Sequence, residues 1–125
     1  MKKRLLWIIP LFVITITACS QNQTGSYYWD KYSHTQYAYL KNPSLETLDR
    51  HITTLEKIIS VSRQRGLKVP PGVYSELAMM KWLKHPEGDV SEYLLKEVNA
   101  YPESQEFINF LILNLFAGSE VHDEE

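Results

Sequence analysis

Apolar residues recur at steps of three and four through Leu45, Leu48, Ile52, Leu55 and Ile59, which places them on one narrow stripe of a helix. Asn42-Pro43-Ser44 supplies cap-type residues ahead of that stripe. Glu46 and Asp49 lie early and Arg63 and Arg65 late, as the helix dipole favours. Gly66 gives the left-handed stop. The pattern predicts a first helix that buries one face only. Val69-Pro70-Pro71-Gly72 then breaks the chain, and a second helix is expected from Val73 to His85, with Tyr74, Leu77, Ala78 and Trp82 near one side. His85-Pro86-Glu87-Gly88-Asp89 ends it. A third helix is expected from Val90 to Tyr101, and a fourth from Pro102-Glu103-Ser104 to Ala117-Gly118. Strand-type alternation is confined to the short Tyr37-Ala38-Tyr39 piece. The expected fold is all-α.

The fourth helix has an unusual pattern. From Phe107 to Phe116 only Asn109 and Asn114 are polar. At ~100° per residue, Phe107, Ile108, Leu111, Ile112 and Leu115 fill one side, and Phe110, Leu113 and Phe116 form a second stripe roughly opposite. A terminal helix that is apolar all round must be covered on both sides or serve as a binding face. The cover is either the aromatic N-terminal segment or a partner, which includes a second copy of the chain.

The first 18 residues are of another kind. Met1-Lys2-Lys3-Arg4 carries three positive charges, and Leu5 to Thr17 is almost wholly apolar. This is the layout of a signal peptide, and a membrane-spanning helix would need ~20 apolar residues without the interruption at Pro10. Ile16-Thr17-Ala18-Cys19 resembles the bacterial lipobox. That resemblance implies diacylglycerol on the Cys19 sulfur, cleavage between Ala18 and Cys19, and acylation of the new N-terminus, as by palmitate. The alternative is an ordinary Cys near a cleavage site. Cys19 is the only cysteine, so lipidation would leave neither a disulfide nor a free thiol. Several acyl chains on one residue anchor firmly, where a single chain binds only marginally. Ser20, not Asp, follows the Cys. By resemblance to the sorting rule of enterobacterial lipoproteins, this implies an outer-membrane anchor, with the domain facing the periplasm.

The expected organisation is a signal peptide over 1–18, lipidated Cys19 with a polar tether over 19–26, a folded domain over 27–118 and an acidic tail over 119–125. Asn22-Gln23-Thr24 matches a glycosylation sequon and is treated as coincidence. The whole chain has 125 residues, 13 Lys+Arg and 15 Asp+Glu, a size for one domain. Without Lys2, Lys3 and Arg4 the balance falls from −2 to −5, with 10 basic residues against 15 acidic. A surface this acidic argues against nucleic acid, whose recognition needs cations to displace phosphate counterions.

The segment from Pro71 to Pro102 has the spacing of one tetratricopeptide-like unit, with the large aromatic at Tyr74, the Leu-small pair at Leu77-Ala78, the later large residue at Leu94 and the closing Pro at Pro102. It departs from the pattern where Lys81, with Trp82 beside it, replaces an aromatic, and where Val90 and Glu97 replace small residues. One such unit cannot bury its own core, so the first and fourth helices must flank it. The chain also carries Tyr28-Trp29 with Tyr32, Tyr39-Leu40-Lys41-Asn42-Pro43, Leu55-Glu56-Lys57-Ile58-Ile59, Pro70-Pro71-Gly72-Val73-Tyr74 with Glu76-Leu77, and Tyr101-Pro102-Glu103-Ser104. In these it resembles the small bacterial lipoproteins known as a domain of unknown function. Members of that family are typically encoded beside another small lipoprotein and one like the curli-assembly pore subunit. The resemblance implies a co-anchored lipoprotein or pore subunit as partner and a role in envelope assembly or export.

Candidate chemistry is sparse. His34, His51, His85 and His122 form no pair at metal spacing, the five glycines are dispersed, and no Ser lies in a Gly-x-Ser-x-Gly elbow. Glu92 and Glu97 are the one acid–base pair worth posing. No cofactor, metal or catalytic residue is expected, and no enzyme. Six aromatics, Tyr27, Tyr28, Trp29, Tyr32, Tyr37 and Tyr39, fall within thirteen residues. They either bind sugar or peptide, or wrap a small domain and bury aromatics to compensate for a thin core, or do both, with Trp29 inside and some tyrosines outside. The candidate binding residues are Phe110, Leu113 and Phe116 on the last helix, with Trp29 and Tyr32 in the aromatic segment. The leading expectation is a non-enzymatic lipoprotein adaptor; the alternative is a binder of envelope glycan or peptidoglycan.

Overall fold

The structure, a computed structural model, describes residues 27–116. The signal peptide, Ala18, Cys19, the tether with its sequon, the end of the fourth helix at Ala117-Gly118, the acidic tail and His122 lie outside the described residues, as does the side chain of Phe116. The described chain forms α1 (Tyr32–Lys41), α2 (Leu45–Gln64), α3 (Val73–Lys84), α4 (Ser91–Ala100), a 3-10 turn (Pro102–Ser104), α5 (Gln105–Leu111) and a π-helical turn (Ile112–Phe116). Among the described residues there is no strand, and no helix is long and apolar enough to cross a membrane. The fold is all-helical, as the periodicity predicts.

α2 begins where its cap residues place it. Thr47 N donates to Ser44 Oγ at 3.2 Å while Ser44 N donates to Thr47 Oγ1 at 3.0 Å, a capping box with Thr in the usual Glu position. It ends in a Schellman motif: Leu67 N donates to Ser62 O at 2.8 Å and Gly66 N to Arg63 O at 3.1 Å, with Gly66 at φ 63°. The expected single buried face is too narrow. Leu48, Ile52, Leu55 and Ile59 are buried, but so are His51, Thr54, Ile58 and Ser62. At ~100° per residue the two sets together cover an arc of about 160°. α2 is covered on two sides, by α1 and by α3. Leu45, the first residue of the predicted stripe, is exposed at the start of the helix.

α1 is the helix that the apolar pattern does not predict. The Tyr37-Ala38-Tyr39 piece, expected to be strand-like, lies within it. It has no side-chain cap, and its only buried residue is Thr35. Its tyrosines supply the apolar surface instead: Tyr32 and Tyr39, with Tyr28 just before the helix, pack against the core formed by Leu55, Ile58, Val73 and Leu77. α3 and α4 fall within a residue or so of expectation. The fourth helix is present but changes winding twice, from the 3-10 turn through α5 to the π turn.

Helices pack in chain order: α1 on α2, α2 on α3, α3 on α4, and α4 on the 3-10 turn and α5. The positions that carry the tetratricopeptide-like pattern, Tyr74, Leu77, Ala78 and Leu94, are all buried. Its odd residue, Glu97, is only 2% exposed. Gly72 is the N-cap of α3, in a left-handed conformation at φ 88°, and has no side chain to cap with. Glu97 reaches across from α4 to do this. Gly72 N donates to Oε1 at 2.7 Å, and Tyr74 N and Ser75 N donate to Oε2 at 3.2 and 3.4 Å. Tyr101 closes the same corner by donating to Val69 O at 2.7 Å.

Candidate functional site

α4 and α5 diverge from the small core of Ala78, Val90, Leu94, Ile108 and Leu111, and leave an apolar groove of about 430 Å³ between them. Leu94 and Ile108 form its floor, and Leu95, Val98 and Ile112 its walls, with Asp89, Ser91 and Gln105 as the polar edge. Leu95 and Ile112 stand largely exposed. α5 is short and passes into the π-helical turn, whose Ile112 completes the lining. The predicted inner stripe is divided: Ile108 and Leu111 are buried and Leu115 partly so, whereas Phe107 and Ile112 face outward.

The two described side chains of the outer stripe are bare. Phe110 is 59% exposed and Leu113 70%. Tyr28, Tyr32 and Tyr39 of the aromatic N-terminal segment pack on the α2–α3 core instead. Trp29 is 43% exposed, the reverse of the expectation that it would lie inside. Its ring meets Tyr27 and Tyr32 edge-on, at centroid distances of 6.4 and 5.2 Å. The backbone turns outward there, with Asp30 at φ 44° and its carboxylate held by Tyr28 Oη and Lys57 Nζ.

Tyr32 is half-buried, and its hydroxyl is already engaged. It donates to Glu76 Oε2 at 2.6 Å and accepts from Gln36 Nε2 at 2.8 Å. Glu76 Oε1 lies 2.9 Å from His51 Nε2 and accepts from Gln36 Nε2 at 3.2 Å, while His51 Nδ1 lies 2.9 Å from Thr35 Oγ1. Burial is the largest influence on the Glu76 carboxyl and pushes it up, but the hydrogen bonds from His51, Tyr32 and Gln36 together outweigh it and hold the group below its ordinary range. Burial first, and then the adjacent Glu76 carboxylate, push the Tyr32 phenol well above its ordinary value. The cluster ties α1 to α2 and α3, and its polar groups satisfy one another. Sequence spacing does not reveal it, since its members lie up to 44 positions apart.

The posed acid–base pair does not come together. Glu97 is spent on the α3 cap, and Glu92 is exposed and paired with Lys96. His34 and His85 are exposed while His51 is fully buried, and among the described residues no group of three His, Cys, Asp or Glu is placed to hold a metal ion. What the molecule offers is an apolar groove between α4 and α5 and, outside it, bare Phe110 and Leu113.

Residues 26–111 match the model of a family described as a domain of unknown function, DUF4810. The chain belongs to the DUF4810 family. No curated protein and no solved structure matches it. The DUF4810 match takes in all five helices and stops at Leu111. Phe110 and the groove floor thus lie inside the DUF4810 domain, while Ile112, Leu113 and Phe116 follow it.

Proposed function

We propose that this DUF4810 protein is a non-enzymatic outer-membrane lipoprotein that docks a co-anchored protein partner in the periplasm, as an adaptor in an envelope assembly or export complex. The observation that carries the reading is the groove between α4 and α5, together with Phe107, Phe110 and Leu113 left exposed on α5 and the turn after it. Exposed apolar surface rimmed by polar residues on a small domain marks an interaction site. The lipobox supports the anchor, and holding both molecules on one membrane raises their effective concentration. The anchor is tested by labelling cells with a palmitate analogue: incorporation is expected in the full chain and absent in Cys19→Ala. Docking is tested by crosslinking in membranes. Phe110→Ser with Leu113→Ser is expected to remove the crosslinked partner while helix content by circular dichroism stays unchanged; an unaltered partner yield refutes the site.

A second reading, an envelope-glycan binder, is favoured by Trp29, whose exposed indole flanked by Tyr27 and Tyr32 is a platform on which a sugar ring can stack. It predicts tryptophan quenching by muropeptides that Trp29→Ala removes. No quenching at millimolar ligand rejects it.

A further inference from the structure

Because the helices pack in chain order, the domain is a short stack with two ends, α1 and α5. Stacks of helical units ordinarily finish in polar outer faces that keep them soluble. Both ends here carry bare apolar side chains as well. On α1, Tyr37 and Leu40 lie three residues apart on one outward ridge and are 64% and 68% exposed, with Leu45 equally bare across the turn. At the other end stand the groove and Phe107, Phe110 and Leu113.

The two ends also differ in charge. Residues 31–45 contain Lys31 and Lys41 and no acid, and Lys41 Nζ lies 5.9 Å from the centre of the Tyr37 ring. Residues 101–116 contain Glu103 and Glu106 and no base. The asymmetry extends inward: residues 27–85 hold nine bases against five acids, and residues 86–116 one base against six acids. A two-fold contact of α5 with α5 sets Glu103 and Glu106 against themselves, and one of α1 with α1 does the same to the lysines. Only a head-to-tail contact brings unlike charges together around paired apolar faces.

We propose that the groove between α4 and α5 receives the α1 face of a second copy of this chain, so that copies stack head to tail. The inference rests on the docking reading above and names the partner. Such a contact is heterologous: it uses different surfaces on the two copies, leaves one free end of each kind, and extends into a ring or filament. Each added copy continues the helical stack, seating Tyr37 and Leu40 where the next helix of a longer solenoid would lie. Anchoring on one membrane favours the contact further.

The test uses the full chain in its own membranes, with Leu40→Cys and Leu113→Cys at exposed positions and a short bis-maleimide as crosslinker. The native chain, whose only cysteine is Cys19, sets the background. The doubly substituted chain is expected to give a ladder of dimers, trimers and higher species, and each single variant none. Adding K31E and K41E should weaken the ladder by about tenfold through like-charge contact, and adding E103K and E106K to that same chain should restore it. Dimers of Leu113→Cys alone mean a two-fold contact and overturn the proposal. Adducts of Leu113→Cys with a different protein, without a ladder, overturn self-stacking but leave the docking groove standing. No adduct of any kind overturns both.

Discussion

Removing the Glu97 carboxylate should destabilise this domain far more than an exposed helix position normally would. The carboxylate lies across the N-terminus of α3, where Gly72 offers no side chain, and it satisfies three main-chain donors at 2.7, 3.2 and 3.4 Å. A hydrogen bond to a charged group contributes roughly 1.5–3 kcal/mol, and a donor left buried without a partner costs its desolvation as well. Counting the short bond in full and the two longer ones as one more gives about 3–6 kcal/mol. Truncation also relieves the cost of holding a charge out of water, which leaves a net loss of about 3 kcal/mol. For a domain of this size about 1 kcal/mol corresponds to roughly 4–8 °C, so Glu97→Ala should lower Tm by about 12–24 °C. Glu97→Gln keeps an acceptor for the Gly72 amide but loses the charge at the helix dipole, and should fall about half-way. Thermal unfolding of the full chain followed at 222 nm measures both, with exposed Leu95→Ala as a control expected within ~0.5 kcal/mol of the parent. If Glu97→Ala melts within about 4 °C of the parent, the cap is not what holds α3 against α4, and the reasoning fails.

The other predictions concern the same framework. Glu76→Gln should cost about 2 kcal/mol by weakening the acceptor shared by His51, Tyr32 and Gln36, read as a lower denaturant midpoint with an unchanged slope. Because the folded-state value of the Glu76 carboxyl lies below its ordinary 4.5, its contribution is complete above that value and is lost as pH falls through the lower one. The acid limb of the stability–pH curve should therefore be shallower in Glu76→Gln, and identical slopes would refute the assignment. Tyr101→Phe should cost about 1 kcal/mol by leaving the Val69 carbonyl without its donor, again measured by denaturant titration. Gly72→Ala should cost about 1–2 kcal/mol from backbone strain alone, since nothing lies within 4 Å of the added carbon; a neutral substitution would show that the loop can abandon its left-handed turn.

The parts of the fold legible in the sequence are those where burial is apolar and periodic. α2 can be read from its leucines, its Ser44 cap and Gly66, and α3 and α4 from the proline and glycine punctuation between them. α1 cannot, because it buries a threonine and the faces of tyrosines rather than a leucine stripe, and a period-based reading has nothing to count. For the same reason the breadth of α2 is hidden: His51, Thr54 and Ser62 are buried beside the apolar stripe, polar residues that a pattern alone reads as solvent-facing. The outer stripe of the last helix can be read, but the groove cannot, since it is a gap between α4 and α5 that depends on how the two helices pack and not on any residue type.

Glu97 shows how a departure from a pattern can carry more than agreement with it. A tetratricopeptide-like unit wants a small residue there so that its second helix can approach the first closely. A glutamate at a closely packed site is tolerable only if something buried needs an anion, and the nearest such need is a helix N-terminus whose cap residue lacks a side chain. Gly72 is that residue, and it cannot readily be Ser or Asp because the chain turns through φ 88° to leave Pro70-Pro71. The two oddities, a cap without a side chain and a carboxylate in a core, resolve each other across 25 positions. They also tie α4 to the start of α3, and α4 is the helix that brings Leu94 and Val98 to the groove, so the residue that least resembles the repeat fastens one wall of the proposed docking surface.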